Sequence, residues 1–528
     1  MNKNFIKSAN GSILIFLSFL LAVNYLVSQQ SSYVDLTQEK IYTASDASRN
    51  ILGNIEEPVD VTFYISEDLP SDLLTFKTEM QDIMNQYEDL SKGKLNIKYE
   101  APDNEDSTVQ ELALRGIPQL QSEVVEKDKI EVKRFFFGAE ISSGDEESEK
   151  SEVLASISSL SSFEYDFVSA IYSVSKQDKE IVAFLTGHGE RALNTTELGK
   201  SYEIQSVSIS TDEGNRGFYI AQDSAETEDL QTSEIAGEDI SMTEEAKEFV
   251  SPTTLIITKP EGDLSIDEIS VMEEFVAGGG KIIVLAEKIN PDLEQGFVTK
   301  NIESNINDFI KNYGIEIENN LVYDKSNSTI SYYKQTYFGR MPAESYYPFW
   351  VNAVSENFSD HSSLSKIQFM TFLWASSLKA ESNDAYDVET LITSTKDTGF
   401  LSGGAMDISP EVSLSFAGSG KKILAASATA KDGSGGQVVV IGDSDFVSPD
   451  FMSPISDNEI FFLNLVDSVS SAANLSSIRS KNISGRPIRA IADNEKNYWK
   501  FFTIFGGAVL LGAYGFIRIS KRKKLSKS

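Results

Sequence analysis

Two uncharged apolar runs, one near each end of a 528-residue chain, constrain its fold more than any other feature. Ile13 to Val27 reads ILIFLSFLLAVNYLV, and Phe501 to Ile517 reads FFTIFGGAVLLGAYGFI. A bilayer core demands roughly 20 apolar residues in helical form, so each run with its flanks is expected to be a transmembrane helix. Tyr498 and Trp499 stand where an interfacial aromatic belt belongs, and glycine is tolerated in lipid-embedded helices. The first run shares its basic start and apolar centre with a secretory signal, but no convincing A-x-A site precedes Gln29, which favours a retained anchor.

Lys3 and Lys7 flank one run, and Arg518, Lys521, Arg522, Lys523, Lys524 and Lys527 follow the other. Basic flanks stay on the cytoplasmic side. The expected order is therefore a cytoplasmic N-terminus (1–10), a transmembrane helix (11–28), an extracytoplasmic α/β domain (29–150) and a second, larger α/β domain with insertions (151–480). A juxtamembrane linker (481–498), a second transmembrane helix (499–518) and a basic cytoplasmic tail (519–528) complete it. The expected site of the protein is the cell membrane, with the bulk of the chain outside the cytoplasm.

Charge separates the ends from the middle. The formal net charge is -34, and no Asp or Glu occurs before Asp35 or after Glu495. Setting the eight terminal positive charges aside leaves 38 basic against 80 acidic residues. Such a surface repels phosphate backbones, because nucleic-acid binding depends on cationic neutralisation, so no nucleic-acid partner is expected. Cys is absent, which removes disulfides, thiolate metal sites and cysteine nucleophiles. His188 and His361 are the two histidines, too few for a multi-histidine metal site. No cofactor is expected.

Within the exterior region, Val59, Val61, Phe63 and Ile65 alternate as a half-buried strand. Leu73, Phe76, Met80, Ile83, Met84, Tyr87 and Leu90 then recur at helical spacing, and Lys94 to Tyr99 alternates again. This β-α-β pattern is thioredoxin-like, without the cysteines that redox chemistry of that kind needs. ISSGDEESEKSE, between Gly138 and Glu152, reads as a turn or loop. Farther on, IVAFL, LIIT, KIIVLA and QVVVI are short apolar runs of the kind buried on both faces of a parallel sheet. Ser265 and Glu268 make a capping box for the helix between LIIT and KIIVLA, and Ser456 with Glu459 makes another before IFFLNLV. That last helix is apolar nearly all round and belongs between layers. The economical account is a doubly wound α/β sheet with a mixed insertion across Tyr332–Trp374. Asn194–Asp239, poor in apolar periodicity, reads as a long surface insertion.

Candidate chemistry is sparse. Gly278-Gly279-Gly280 and Gly433-Ser434-Gly435-Gly436 precede strands, whereas a phosphate cradle needs glycines after a strand and before a helix. They read as turn residues. Thr186-Gly187-His188-Gly189-Glu190 is better placed, at the carboxyl end of a strand where open α/β sheets bind ligands. Asp443 and Asp445, in IGDSDF, leave another strand two residues apart and could face one side. His188, Glu190, Asp443 and Asp445 are thus the candidate ligand-pocket residues. No catalytic residue and no metal site are assigned to them.

Several stretches together resemble the GldG-like family of gliding-motility-type auxiliary components of ABC transport systems. They are LTQEKIYTASDASRNIL with EEPVDVTFYIS, RGIPQLQSEVVEKDKIEVKRFFFGAEI, LTGHGE, LIITKPEGDLSIDEISVMEEFVAGGGKIIVLAE, and VVVIGDSDFVSPDFMS with FFLNLVD. The resemblance implies an exterior region similar to a glutamine-amidotransferase-like fold without its nucleophile, in keeping with the absence of Cys. It implies a separate ABC ATPase and a multi-span permease as partners, in addition to the bilayer. The chain has no G-x-x-x-x-G-K-[ST] ATPase loop, and two spans are too few for a pore.

The expected function is a non-catalytic auxiliary membrane subunit whose exterior domain contacts a substrate, itself unidentified, or partner proteins. Two other readings stay open. One is a membrane-tethered hydrolase acting through His188 and the Asp443/Asp445 pair, and the other is a surface-interaction protein unrelated to transport.

Overall fold

The computed structural model describes residues 16, 18, 42–126, 129–144, 150–157, 159–175, 179–221, 248–293, 296–337, 339–365, 367–416, 420–448, 457–470, 498–503, 505 and 506. Two compact units divide the chain at residue 483. The described part of the second is helical at 498–503, with Tyr498, Trp499, Phe501 and Phe502 exposed. The first expected transmembrane helix falls almost wholly, and the second for the greater part, outside the described residues. Among those described, no helix is long and apolar enough to cross a membrane.

The first unit begins with α1 (Asp46–Gly53), β1 (Val59–Ile65), α2 (Ser71–Leu90), β2 (Leu95–Glu100) and α3 (Asp106–Leu114). The hairpin β3 (Leu120–Glu126) and β4 (Lys129–Phe135) leads to β5 (Phe137–Ser143), β6 (Lys150–Leu154) and α4 (Leu160–Ser175). β1 and β2 run parallel across the α2 crossover, and the sheet continues antiparallel through β5 to β6, in the order β2-β1-β5-β6. Val59, Val61, Phe63 and Ile65 of β1 face the same core as Phe76, Met80, Ile83, Met84 and Tyr87 of α2, as their two periodicities predict. Phe163, Phe167 and Ile171 of α4 fill the remainder of that core. Sheet pairing and helix packing therefore carry this layer past residue 150, where the sequence reading drew a boundary.

The stretch read as a loop from Gly138 to Glu152 needs correction. Gly138 to Ser143 belongs to β5, a mostly buried strand between β1 and β6. Its apolar neighbours on adjacent strands hold it in place; the acidic residues that suggested a loop begin only at Asp145.

A larger sheet follows. Its elements are β7 (Ile181–Leu185), α5 (Thr196–Gly199), β8 (Glu203–Ser210), β9 (Gly217–Ile220), β10 (Phe249–Val250), β11 (Thr254–Thr258), α6 (Ile266–Ala277) and β12 (Lys281–Leu285). Then come β13 (Ile289–Asp292), β14 (Val298–Asn301), α7 (Ile306–Ile310), β15 (Ile315–Ile317) and β16 (Leu321–Asp324). The mixed insertion resolves into β17 (Asn327–Thr336), β18 (Gly339–Val354) and β19 (Phe369–Leu373), an antiparallel meander. The chain returns through β20 (Leu378–Ala380), β21 (Tyr386–Thr393), β22 (Thr398–Leu401), β23 (Ile423–Ala430), β24 (Gln437–Ile441) and α8 (Asp457–Val469).

The main path of the sheet is β10-β9-β8-β7-β11-β12-β24-β23-β20-β15. Its centre, β8-β7-β11-β12-β24, is parallel throughout. Alternate residues of these strands enter different cores. Val182, Ile256, Ile283 and Val439 pack with α8 and the β18-β19 meander, while Ala183, Leu255, Ile282 and Val438 pack with α6 and α7. With both faces covered, these strands read as unbroken apolar runs.

α8 lies between layers as expected, with ten of its thirteen residues buried. Asn458 within it accepts from Thr371 N at 3.0 Å and donates to the carbonyls of Thr371 and Phe446, both at 2.7 Å. The capping box at Ser265 and Glu268 is formed on both sides; Ser456 of the second lies outside the described residues.

Asn194–Asp239 requires a second correction. Its residues up to Ala221 contain α5, β8 and β9, and β8 pairs in parallel with β7. Only Val207 of the five β8 residues paired with β7 is fully buried, and the rest are largely polar. This partial burial and polar composition hide the strand from a search for apolar runs. Residues 222–247 lie outside the described residues.

Candidate functional site

The loops after β7, β11, β12 and β24 converge at the carboxyl ends of the parallel strands, where sheets of this kind bind ligands. The crevice between β7 and β11 marks the reversal of strand order. Here main-chain bonds lace it across. His188 O accepts from Glu261 N at 2.9 Å and from Gly262 N at 2.7 Å. Arg191 N donates to Thr258 O at 3.0 Å, and Thr258 Oγ1 donates to Arg191 O at 2.5 Å. Gly187 and Gly189 make the turn possible, with φ of 120° and 79° in the left-handed region.

His188 sits between two carboxylates. Nδ1 lies 3.0 Å from Glu190 Oε1 and Nε2 lies 3.2 Å from Glu268 Oε1. Glu190 also accepts from His188 N at 2.7 Å, and Glu268 accepts from Ser265 N at 2.8 Å. The Glu190 hydrogen bond, reinforced by both negative charges, raises the imidazole above its ordinary range against the opposing effect of burial. Burial pushes Glu190 and Glu268 upward, but hydrogen bonds outweigh it and both are lowered. The histidine is thus a clasp between the β7 loop and the first turn of α6.

A second, deeper cluster joins the other loops. Lys259, just past β11, is buried with its ammonium 3.2 Å from Glu287 Oε1, 3.0 Å from Asn290 Oδ1 and 3.8 Å from Asp445 Oδ2. Arg191 forms an ion pair with Asp445 Oδ1. Glu287 accepts from Ser444 N at 2.7 Å and Ser444 Oγ at 3.0 Å. Burial raises the Glu287 carboxyl, the Asp445 charge adds to this, and Lys259 opposes it. Lys259 also has φ of 48°, a conformation that costs a non-glycine residue about 1–3 kcal/mol.

Asp443 and Asp445 do not act as a matched pair. Asp443 Oδ1 accepts from Asp445 N at 2.7 Å and Phe446 N at 3.2 Å, and its Oδ2 accepts from Leu373 N at 2.5 Å. Complete burial, with Asp445 and Glu287 nearby, pushes Asp443 well above the ordinary carboxylate range in spite of these donors. It caps the loop after β24 and ties it to β19, whereas Asp445 belongs to the Lys259 and Arg191 network. The partners of His188 are two glutamates, so the three residues of the hydrolase reading are divided between separate bonding sets. Among the described residues, no set of three or more His, Asp or Glu side chains converges as a metal would require.

Lys259, Glu287 and Arg191 escape sequence reasoning. Arg191 and Asp445 are 254 positions apart, and the KPEGD following LIIT reads as an ordinary charged loop. The available signal was position: Lys259 and Glu287 follow the two apolar runs on which the loops converge.

These features define a mixed α/β protein whose sheet-end loops are fastened by ion pairs and main-chain bonds. A family model described as ABC-type uncharacterized transport system matches residues 179–465, from just before β7 into α8. The chain belongs to that family. Residues 38–142 match a domain of unknown function, DUF7088. An uncharacterized protein of Borreliella burgdorferi is 22% identical over 366 residues, covering 68% of this chain. The chain spans 63% of that relative's length. Among solved structures, the mmIFT52 N-terminal domain is similar at 14% identity, with a TM-score of 0.33, covering 56% of this chain and 98% of that one.

Proposed function

We propose that the chain is a non-catalytic subunit of an ABC transport complex, held in the membrane by its two terminal apolar runs, with its α/β region outside the cytoplasm. A separate ATPase and a multi-span permease supply energy and pathway, and the α/β region contacts substrate or partner proteins. The observation that carries the non-catalytic part is the use of the candidate side chains: Glu190 holds His188, His188 reaches Glu268 of α6, Asp443 binds Leu373 of β19, and Asp445 pairs with Arg191 and Lys259. A general base needs access to a substrate proton, and His188 has a carboxylate on each ring nitrogen. Family membership supports the transport assignment; the GldG-like, gliding-type affiliation stays within this proposal. The parallel order β8-β7-β11-β12-β24 and the α2 crossover support reading the larger sheet as amidotransferase-like and the smaller as thioredoxin-like, both within the first unit.

A deletion strain complemented with His188→Gln tests the division of labour. Transport restored to within about twofold fits a structural clasp. A hydrolase using His188 as its base would lose roughly 100-fold or more, and that loss, with the variant present at normal abundance, would reject the proposal.

A further inference from the structure

β6 is the last strand of its sheet among the described residues, paired with β5 on one side and with no described strand on the other. An edge strand presents a row of main-chain N–H and C=O groups. Beside it lies a cavity of 390 Å³, bounded by residues 152–157 on one side and by Phe163, Asp166, Ser169 and Ala170 of α4 on the other. Ser169 is 4% exposed, and its Oγ has no hydrogen-bond partner among the described residues. A hydroxyl left in this state costs free energy that a bound polar group recovers.

We infer that this groove is a binding site for an extended, basic peptide segment of a partner protein, which adds to β6 as the next strand and places an apolar side chain under α4. Three features select this occupant. The strand edge calls for main-chain donors and acceptors in extended register. The cavity wall carries an apolar patch, Leu154, Ile157, Phe163 and Ala170, so the strand brings an apolar side chain to it. The net charge of -34 attracts a basic segment and repels a second copy of the chain. Lys200 at the rim is already paired with Glu197 at 2.7 Å, so it does not demand an anion.

The test uses the full chain in mild detergent and three fluorescent nine-residue peptides: TKVTFTVKT, a proline form TKVPFPVKT that lacks two main-chain donors, and an acidic form TEVTFTVET. TKVTFTVKT should bind saturably, and each of the other two at least about tenfold more weakly. Ala155→Trp, placed on the exposed rim to fill the cavity without disturbing the core, should weaken TKVTFTVKT by a similar factor. Hydrogen exchange at residues 150–154 should be faster than in β1 for the free protein, and slow when TKVTFTVKT is added. Absence of saturable binding, equal binding of all three peptides, or indifference to Ala155→Trp would overturn the inference. So would amides at 150–154 already as protected as those of β1, or a concentration-dependent dimer abolished by Ala155→Trp. Assembly with transporter subunits is a separate readout, so peptide binding can fail while the transport proposal stands, and the reverse.

Discussion

Lys259 and Glu287 meet 3.2 Å apart, with both side chains almost wholly removed from water, and Lys259 takes up a left-handed backbone conformation to reach that position. Replacing one partner leaves the other charge buried and uncompensated, at a cost of about 3–5 kcal/mol. Lys259→Met is therefore expected to lower stability by that order. Lys259→Met combined with Glu287→Leu should lose distinctly less than the two single effects added together, because neither charge is then stranded. Urea unfolding of the four proteins measures this coupling; strict additivity would show that the pair is not a unit.

The His188 clasp gives a definite pH profile. Its folded pKa is raised above the ordinary 6.5, so its contribution is fully present below 6.5 and fades as pH rises through the folded value. Glu190 and Glu268 are lowered from 4.5, so their contribution is present above 4.5 and fades as pH falls through their folded values. The clasp therefore stabilises most between the two ranges. His188→Ala should flatten the loss of thermal stability that the parent chain shows as pH rises above 6.5, and unchanged profiles would dismiss the clasp.

Gly436 illustrates why the glycine run before β24 serves packing. A Cβ placed there would lie 2.2 Å from Val276 O at the end of α6, so helix and strand would have to part. Gly436→Ala is expected to cost about 1–3 kcal/mol. Gly404→Ala, in open space, is the control and should leave the unfolding midpoint unchanged.

Topology can be read on this chain without background, because it contains no cysteine. Leu114 at the end of α3 is 90% exposed. A Leu114→Cys variant should react with a membrane-impermeant maleimide on cells whose outer permeability barrier has been opened. Lys527→Cys should react only after the cytoplasmic membrane is lysed. The opposite pattern would reverse the proposed orientation.

Much of the fold was legible because burial writes itself into sequence periodicity. IVAFL, LIIT, KIIVLA and QVVVI became β7, β11, β12 and β24, and the stripe from Phe76 to Tyr87 became the buried face of α2. What stayed hidden depended on partners far along the chain. β8 intersperses Ser and Gln with its few apolar residues, so it lacks the apolar run of its neighbours. Residues 138–143 were submerged in the acidic character of the sequence that follows them. At the site, His188, Glu190, Asp443 and Asp445 were found by their position after strands. Their bonding was not, because a lysine that folds inward to meet Glu287 has the same local sequence as one that points into water.

The central claim is membership in a working transport complex, and co-purification from native membranes tests it most directly. The tagged full chain, extracted in mild detergent and quantified by mass spectrometry, should carry an ABC ATPase and a multi-span permease in fixed proportion. Recovery of the chain alone, from membranes in which both subunits are abundant, would contradict the account.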